Sequence, residues 1–382
     1  MDFEFTEELR IIQQEAYKFA VREFTTIAKE YDREEKYPKH VWETACENGF
    51  IGAWIPEQYG GSGAGFLANL IITEQFARID LGISLITAAP FGAENIYLHG
   101  SEEQKKAYLP RLVAGEIIFA GAYTEPNAGT DVAGIRTRAV RDGNEYVING
   151  SKMFITNGTI CDYMVALCVT NPEAKRHNRL SLIIVDANLP GVIRNKIHGK
   201  LGIRASDTAE IVFEDVRVPV ENLVGEEGRG FYQLMDFFNT TRAMVAGQGV
   251  GLAQGALDKA ARYVQERTAF GGPLANLQGV QLQLGEMATR VELARQLAYK
   301  AAWQIDQGKI DPKLSAMAKF YAGETAVWVA DKALQLHGGY GYIDEYDVQR
   351  FYRDAKILEI YEGVKEAEKL TIARHVLAEY AK

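Results

Sequence analysis

What most limits the folds open to this chain is the order in which its hydrophobic period changes. From residue 6 to about 113, apolar residues recur every three or four positions, as in Leu9, Ile12, Ala16, Phe19 and Ala20, which is the spacing of amphipathic helices. A glycine-rich break, Tyr59-Gly60-Gly61-Ser62-Gly63-Ala64-Gly65, interrupts that pattern and is too flexible for a helix interior. After about Gly121 the period shortens to that of strands. Asp142-Gly143 and Asn149-Gly150 separate the runs 145–148 and 152–156 as hairpin turns would, and β-branched runs follow at 163–170, 180–185, 191–197 and 210–218. From about Gly230 the helical spacing returns through Leu252, Ala256, Ala260 and Val264, then Leu284, Met287 and Ala288. Helices, then sheet, then helices predicts an α+β protein: an all-α domain over 1–120, a middle domain of antiparallel strands forming a small barrel or sandwich over 121–228, and a C-terminal helical domain over 229–382. The order excludes a doubly wound α/β fold, in which strands and helices alternate throughout.

A chain of 382 residues, 47% apolar and 24% charged, has enough material for two or three packed modules. No window reaches the apolar length of a membrane span, and a net charge of −9 disfavours nucleic acid and anionic membranes as partners. A local positive pocket could still take an anionic small molecule. The acidic N-terminus, MDFEFTEELRIIQQEAYKFA, has neither a basic start with an apolar stretch nor an Arg-rich character, which implies a cytoplasmic protein, or a mitochondrial-matrix one after loss of a transit peptide. Cys46, Cys161 and Cys168 match no zinc or redox spacing and read as buried thiols; the six histidines are scattered, and no metal site is expected.

Two glycine clusters invite a nucleotide reading. Gly247-Gln248-Gly249-Val250-Gly251 follows no strand and reads as small residues that let helices approach closely, whereas His337-Gly338-Gly339-Tyr340-Gly341 follows a helix and reads as a turn whose bare backbone can approach a flat or phosphorylated group. No Gly-x-Ser-x-Gly elbow is present. Two segments concentrate functional residue types: 123–131, whose hydroxyls and loop amides suit a polar ring edge or phosphate, and Ile360-Tyr361-Glu362-Gly363. In an apolar pocket Glu362 would have a raised pKa and serve as a general base; on a solvated helix end it would be an ordinary carboxylate.

At these residues the chain resembles the acyl-CoA dehydrogenase family over essentially its whole length. The stretch Tyr123-Thr-Glu-Pro-x-Ala-Gly-x-Asp131, Asn149-Gly150-x-Lys152 with Ile155-Thr156-Asn157, Leu201-Gly202-Ile203-Arg204, and Phe213-Glu-Asp-Val-x-Val-Pro219 stand in family order. They are followed by Glu266-Arg267-x-x-Phe270-Gly271, His337-Gly338-Gly339-x-Gly341-Tyr342, Tyr352-Arg353-Asp354-Ala355 and Ile360-Tyr361-Glu362-Gly363. The resemblance implies a C-terminal four-helix bundle, FAD held between the domains and across a subunit contact in a homotetramer, an acyl-CoA substrate and reoxidation by an electron-transfer flavoprotein. It places Tyr123, Thr124, Gly129, Thr130, Phe154 and Thr156 on the flavin. Arg267, Phe270, Gln278, Gln335, Gly338 and Gly339 fall on the neighbouring subunit's cradle for the cofactor's pyrophosphate and adenosine. The substrate side falls to Thr130, Asn239, Thr241, Arg242, Tyr361 and Gly363, and the base to Glu362. A subgroup carries its base on the helix beginning near residue 241, but Thr241 stands there.

The implied reaction removes an α-proton to Glu362 and a β-hydride to the flavin, with the carbonyl oxygen stabilised by a flavin hydroxyl and the Glu362 N–H. Three residues depart from the family pattern: Val364 for threonine, Thr130 for serine and Phe154 for tryptophan. The segment 83–92 should line the acyl pocket and holds no charged residue, and Gly82 stands where dicarboxylyl-CoA members place an arginine, which favours a neutral acyl group. An oxidase of the same fold and a non-catalytic flavin or acyl-CoA binder are the rival readings.

Overall fold

In the computed structural model, which describes residues 4–381, the sequence divides much as its periods suggest. Helices α1 (Glu7–Phe24), α2 (Ala28–Glu34), α3 (Lys39–Glu47), α4 (Gly65–Ile79), α5 (Leu81–Ser84), α6 (Ala93–His99) and α7 (Glu102–Val113) come first. Thr6 caps α1 by accepting the Leu9 N–H at 3.3 Å, and Ser101 with Gln104 forms a reciprocal capping box on α7. The glycine-rich break ends where α4 begins; a Cβ on Gly61 would lie 2.0 Å from the Ile55 carbonyl oxygen, so only glycine closes that loop.

Eight strands follow: β1 (Phe119–Ala122), β2 (Arg138–Asp142), β3 (Glu145–Thr156), β4 (Tyr163–Val169), β5 (Leu180–Asp186), β6 (Val192–Lys196), β7 (Thr208–Pro219) and β8 (Leu223–Val224). They form one sheet in the order β6-β7-β3-β2-β4-β5-β8, with β1 beside β4. The pairing is antiparallel except for β1 and β2 against β4. Gly143 and Asn144 make the β2–β3 turn directly after Asp142, with Gly143 at φ 62°. Asn149-Gly150 does not make a turn. It lies inside β3 as an irregularity opposite β7: the Asn149 amide exchanges two 2.9 Å hydrogen bonds with Asp215, and Gly150, at φ 147°, lets Thr137 come where a Cβ would be 2.6 Å from its hydroxyl. An Asn-Gly pair signals left-handed or unusual backbone, which a bulge uses as readily as a hairpin.

The last part contains α8 (Gly230–Glu266), a two-residue hairpin between β9 (Thr268–Ala269) and β10 (Gly272–Pro273), then α9 (Gln278–Asp306), α10 (Pro312–His337), α11 (Val348–Ala355) and α12 (Lys365–Glu379). Helices α8, α9 and α10 pack on one another, α12 lies on α10, and α4 reaches across to α8 and α9. The glycines of α8 make these contacts possible: a Cβ on Gly249 would press on Ala322 and one on Gly251 would lie 2.2 Å from the Glu74 carbonyl oxygen.

Strands β4 and β5 are buried on both faces, so β4 reads as an unbroken apolar run, whereas β2 and β6 expose much of their length. Met164, Ala166 and Cys168 face a core shared with Phe19, Phe24 and Phe76, and Val165, Leu167 and Val169 face one shared with Leu109, Leu234 and Phe237. Helix α8 therefore begins against the sheet and ends in the bundle, carrying residues 239–242 between the two. The three cysteines are buried thiols.

Candidate active site

Glu362 lies in the short connection between α11 and α12, with its backbone in the left-handed region at φ 55°. That conformation is costly for a residue with a Cβ and survives only where the surroundings hold it. Here the buried Lys319 of α10 donates to the Gly363 carbonyl oxygen, and Arg242 of α8 reaches the Glu362 carbonyl at 3.4 Å while pairing with the Glu368 carboxylate at 3.1 Å. Glu368 of α12 is fully buried beneath the turn, and a Cβ on Gly363 would lie 2.1 Å from its Oε1. Gly363 thus admits a buried charge under the loop that presents Glu362. Val364 is the N-cap of α12 and supplies no capping side chain.

The Glu362 carboxylate accepts a 2.7 Å hydrogen bond from Thr241 Oγ1. Burial pushes its pKa up to about 7, against the downward pull of Thr241, Arg242 and Lys319. Burial also lowers Lys319 to about 8. The Tyr361 hydroxyl donates to Gln248 Oε1, fixing the ring beside the base. Asn239 accepts from Arg242 at 3.1 Å, so it orients the guanidinium. These polar residues do not open a helix near 241: α8 starts at Gly230, and they sit on its third and fourth turns, facing the base.

Tyr123 and Thr124 leave β1 at a point tied down by Lys152, a fully buried cation. Its Nζ donates to the Tyr123 carbonyl at 3.2 Å, to the Leu167 carbonyl at 2.7 Å and to Glu125 at 2.9 Å. Glu125 in turn accepts the Arg136 and Thr137 N–H groups; burial raises its pKa, but Lys152 and these bonds outweigh that and hold it below the usual range. The Met153 N–H bonds the Thr124 carbonyl at 2.9 Å, which sets this loop beside Phe154 and Thr156. Phe154 occupies an irregularity of β3 at φ 61° and stands 67% exposed. A bulge that turns a large ring out of a strand suits a residue placed against a flat partner. Gly129 and Thr130 are exposed farther along the same loop, with open space at Gly129.

The remaining predicted residues gather elsewhere. Arg267, Gln335, Gly338 and Gly339 line a cleft of about 380 Å³ together with Tyr263, His337 and Tyr340, and none of the Glu362 group lines it. Nothing lies within 4 Å of a Cβ built on Gly338 or Gly339, so their backbone is open to a ligand. Phe270 forms the tip of the β9–β10 hairpin at φ 52° and is 93% exposed, and Gln278 is exposed at the start of α9.

Three groups at the site escaped the sequence reading: Lys319, Glu368 and Glu94. Glu94 opens α6 two residues beyond the segment 83–92, and its carboxylate accepts the Gly92 N–H at 2.9 Å. Burial, with repulsion from Glu362, pushes its pKa up to about 8. The signal available was a lone carboxylate in an apolar helix start, which also reads as a dipole-compensating residue.

Comparison with known proteins identifies the family. Family models for the N-terminal, middle and C-terminal domains of acyl-CoA dehydrogenase match residues 6–116, 120–216 and 228–377. An acryloyl-CoA reductase (NADH) of Anaerotignum propionicum is 43% identical, covering 99% of this chain and 96% of its own. A short-chain-specific acyl-CoA dehydrogenase of Clostridium acetobutylicum is 41% identical over 98% and 99%. Butyryl-CoA dehydrogenase of Megasphaera elsdenii superposes with a TM-score of 0.96 at 37% identity, over 99% of this chain and all of that one. A chain solved in work on the electron transferring flavoprotein of Acidaminococcus fermentans also gives 0.96, at 38% identity over 99% and 100%. A glutaryl-CoA dehydrogenase of Mycobacterium smegmatis in complex with FADH2 gives 0.93, at 28% identity over 99% and 96%.

Proposed function

The chain belongs to the acyl-CoA dehydrogenase family, and on that premise we propose that Glu362 is the residue that exchanges a proton with the α-carbon of an acyl-CoA thioester. The protein is an FAD-dependent oxidoreductase acting on the CH–CH bond of acyl-CoA. The observation that carries the assignment to Glu362 is its position: a carboxylate pushed up to about 7 by burial, with its backbone held in the left-handed region.

The residues present suit FAD. The glycine backbone at 338–339 is bare, Arg267 brings a guanidinium able to bond a diphosphate through two N–H groups, and Phe154 offers a ring beside the Thr124 loop. When bound, FAD supplies the hydride acceptor at N5. Everything else falls to the chain. Thr241 and Arg242 orient the Glu362 carboxylate and its backbone, so that the Glu362 N–H can bond the thioester oxygen as charge builds there. Lys319 fixes the next carbonyl, and Tyr361 closes one side.

A group with a pKa near neutrality serves as base and as acid about equally well. The same Glu362 that takes an α-proton in dehydrogenation returns one in reduction, and the resemblance to an acryloyl-CoA reductase favours a chain able to run either way. Direction is then set by the electron partner, which we take to be an electron-transfer flavoprotein. Because the cleft at Arg267 is separate from the Glu362 group, and Phe270 three residues on stands almost fully exposed at a hairpin tip, we assign that cleft to the cofactor of a neighbouring subunit in a homotetramer.

The test is the visible spectrum of the purified protein during anaerobic addition of saturated acyl-CoAs differing in length, branching and ring content. Rapid loss of the oxidised flavin band with one of them supports the reading and defines the acyl class. An FAD-loaded protein that none of them bleaches refutes it.

A further inference from the structure

Two residues beyond the segment 83–92, which the family resemblance places along the acyl chain, stands a second carboxyl group for which proton transfer to and from Glu362 has no use. Glu94 stands in the first turn of α6 between residues that are fully buried, Ala93 and Asn95, yet keeps part of its own surface accessible. It is held at its base by the Gly92 N–H, and among the described residues no side chain hydrogen-bonds it. Asn95, its neighbour, donates at 2.6 Å to the buried Tyr123 hydroxyl, and that hydroxyl lies within the fields of both Glu94 and Glu362. The three groups therefore surround one space. Its walls are aromatic: the Tyr123 ring lies 6.1 Å from Phe91, 5.5 Å from Phe237 and 6.2 Å from Phe238.

Resting on the assignment of Glu362 as the base, we infer that Glu94 determines acyl specificity, selecting a compact acyl group with a neutral hydrogen-bonding substituent, a hydroxyl or carbonyl, over an apolar chain of equal length. Phe91, Phe237 and Phe238, clustered on Tyr123, fill part of this region with bulky rings, and a carboxyl without a side-chain partner beside them loses its hydrogen bond to water when an apolar tail covers it. Its raised pKa keeps it protonated near neutrality, so it donates to the substituent and adds no second full charge beside the base. A site built to hydrogen-bond its ligand rejects the analogue that lacks the group, by roughly tenfold to a hundredfold for one neutral bond.

The experiment compares 4-hydroxybutyryl-CoA with pentanoyl-CoA, whose acyl chains have equal numbers of non-hydrogen atoms. It reads kcat/KM for anaerobic flavin reduction, and the Kd of the two corresponding 2-enoyl-CoAs by calorimetry, on the FAD-loaded wild type, Glu94→Gln and Glu94→Leu. The hydroxylated ligand should lead by about tenfold or more in the wild type, keep most of that lead in Glu94→Gln and lose it in Glu94→Leu. A wild type that favours pentanoyl-CoA, or an unchanged ratio in Glu94→Leu, overturns the inference. Should Glu94→Leu fail to fold, the wild-type ratio and Glu94→Gln still decide. Should no acyl-CoA bleach the flavin, the base assignment fails instead, and the Kd ratio alone judges Glu94.

Discussion

The two halves of the site are built on opposite plans. Around Glu362 the protein is closed and self-sufficient: Thr241, Arg242, Lys319 and Glu368 all come from the same chain, and burial sets their charges against one another. Around Arg267 it is open, with bare glycine backbone and an aromatic ring at the tip of a hairpin that its own chain does not cover. Proton transfer needs a dry, preorganised pocket in which a carboxylate reaches a pKa near neutrality. Holding a long cofactor needs only contact groups, which a second chain can supply.

Breaking the closed half should have the largest effect. Glu362→Gln, close in size, is expected to retain FAD and acyl-CoA yet lose flavin reduction by several orders of magnitude in stopped-flow measurement. Next is the anchor behind the flavin loop. Lys152→Met strands Glu125, and breaking one partner of a buried pair costs about 3 to 5 kcal/mol, which chemical denaturation reads directly. The open half is tested by Arg267→Ala, for which FAD affinity should fall roughly tenfold to a hundredfold through loss of a charged hydrogen-bonding group, as followed by equilibrium dialysis. Co-assembling Arg267→Ala with Glu362→Gln chains should then restore activity, because one class of mixed site joins an intact Glu362 to an intact Arg267. Recovery no greater than the two parents alone would place both groups in one chain's site. The smallest effect is expected from Thr241→Val. Losing the bond that lowers Glu362 should raise its apparent pKa and slow dehydrogenation severalfold at pH 7, with the deficit shrinking as pH rises.

The fold was legible because its periods are long and distinct, and the glycines of α8 were readable as packing residues because no strand precedes them. The Asn149-Gly150 pair was not, since local chemistry that permits a turn also permits a bulge, and only pairing with Asp215 across the sheet decides between them. Most site residues were reached through family motifs rather than through periodicity. Structure gives some of those motifs a purely architectural role: Asp354 accepts the Ile203 N–H at 2.6 Å and Arg353 donates to the Leu201 carbonyl at 2.9 Å, so the segments 201–204 and 352–355 belong together as a clasp. Lys319, Glu368 and Glu94 stayed hidden because a lone charged residue on a helix is ordinarily solvated, and only the tertiary fold buries Lys319 and Glu368 and sets Glu94 between buried neighbours.

Catalysis turns on a carboxylate that its surroundings make basic, and the most direct test is the pH dependence of the flavin-reduction rate in a single anaerobic turnover with a reactive acyl-CoA. A group with a raised pKa acts as base only once ionised, so the rate should climb with pH through an apparent pKa of about 7 and then level off, with the climb absent in Glu362→Gln. A profile that is flat across that region, or one that falls as pH rises, would mean that Glu362 is not the group that takes the proton.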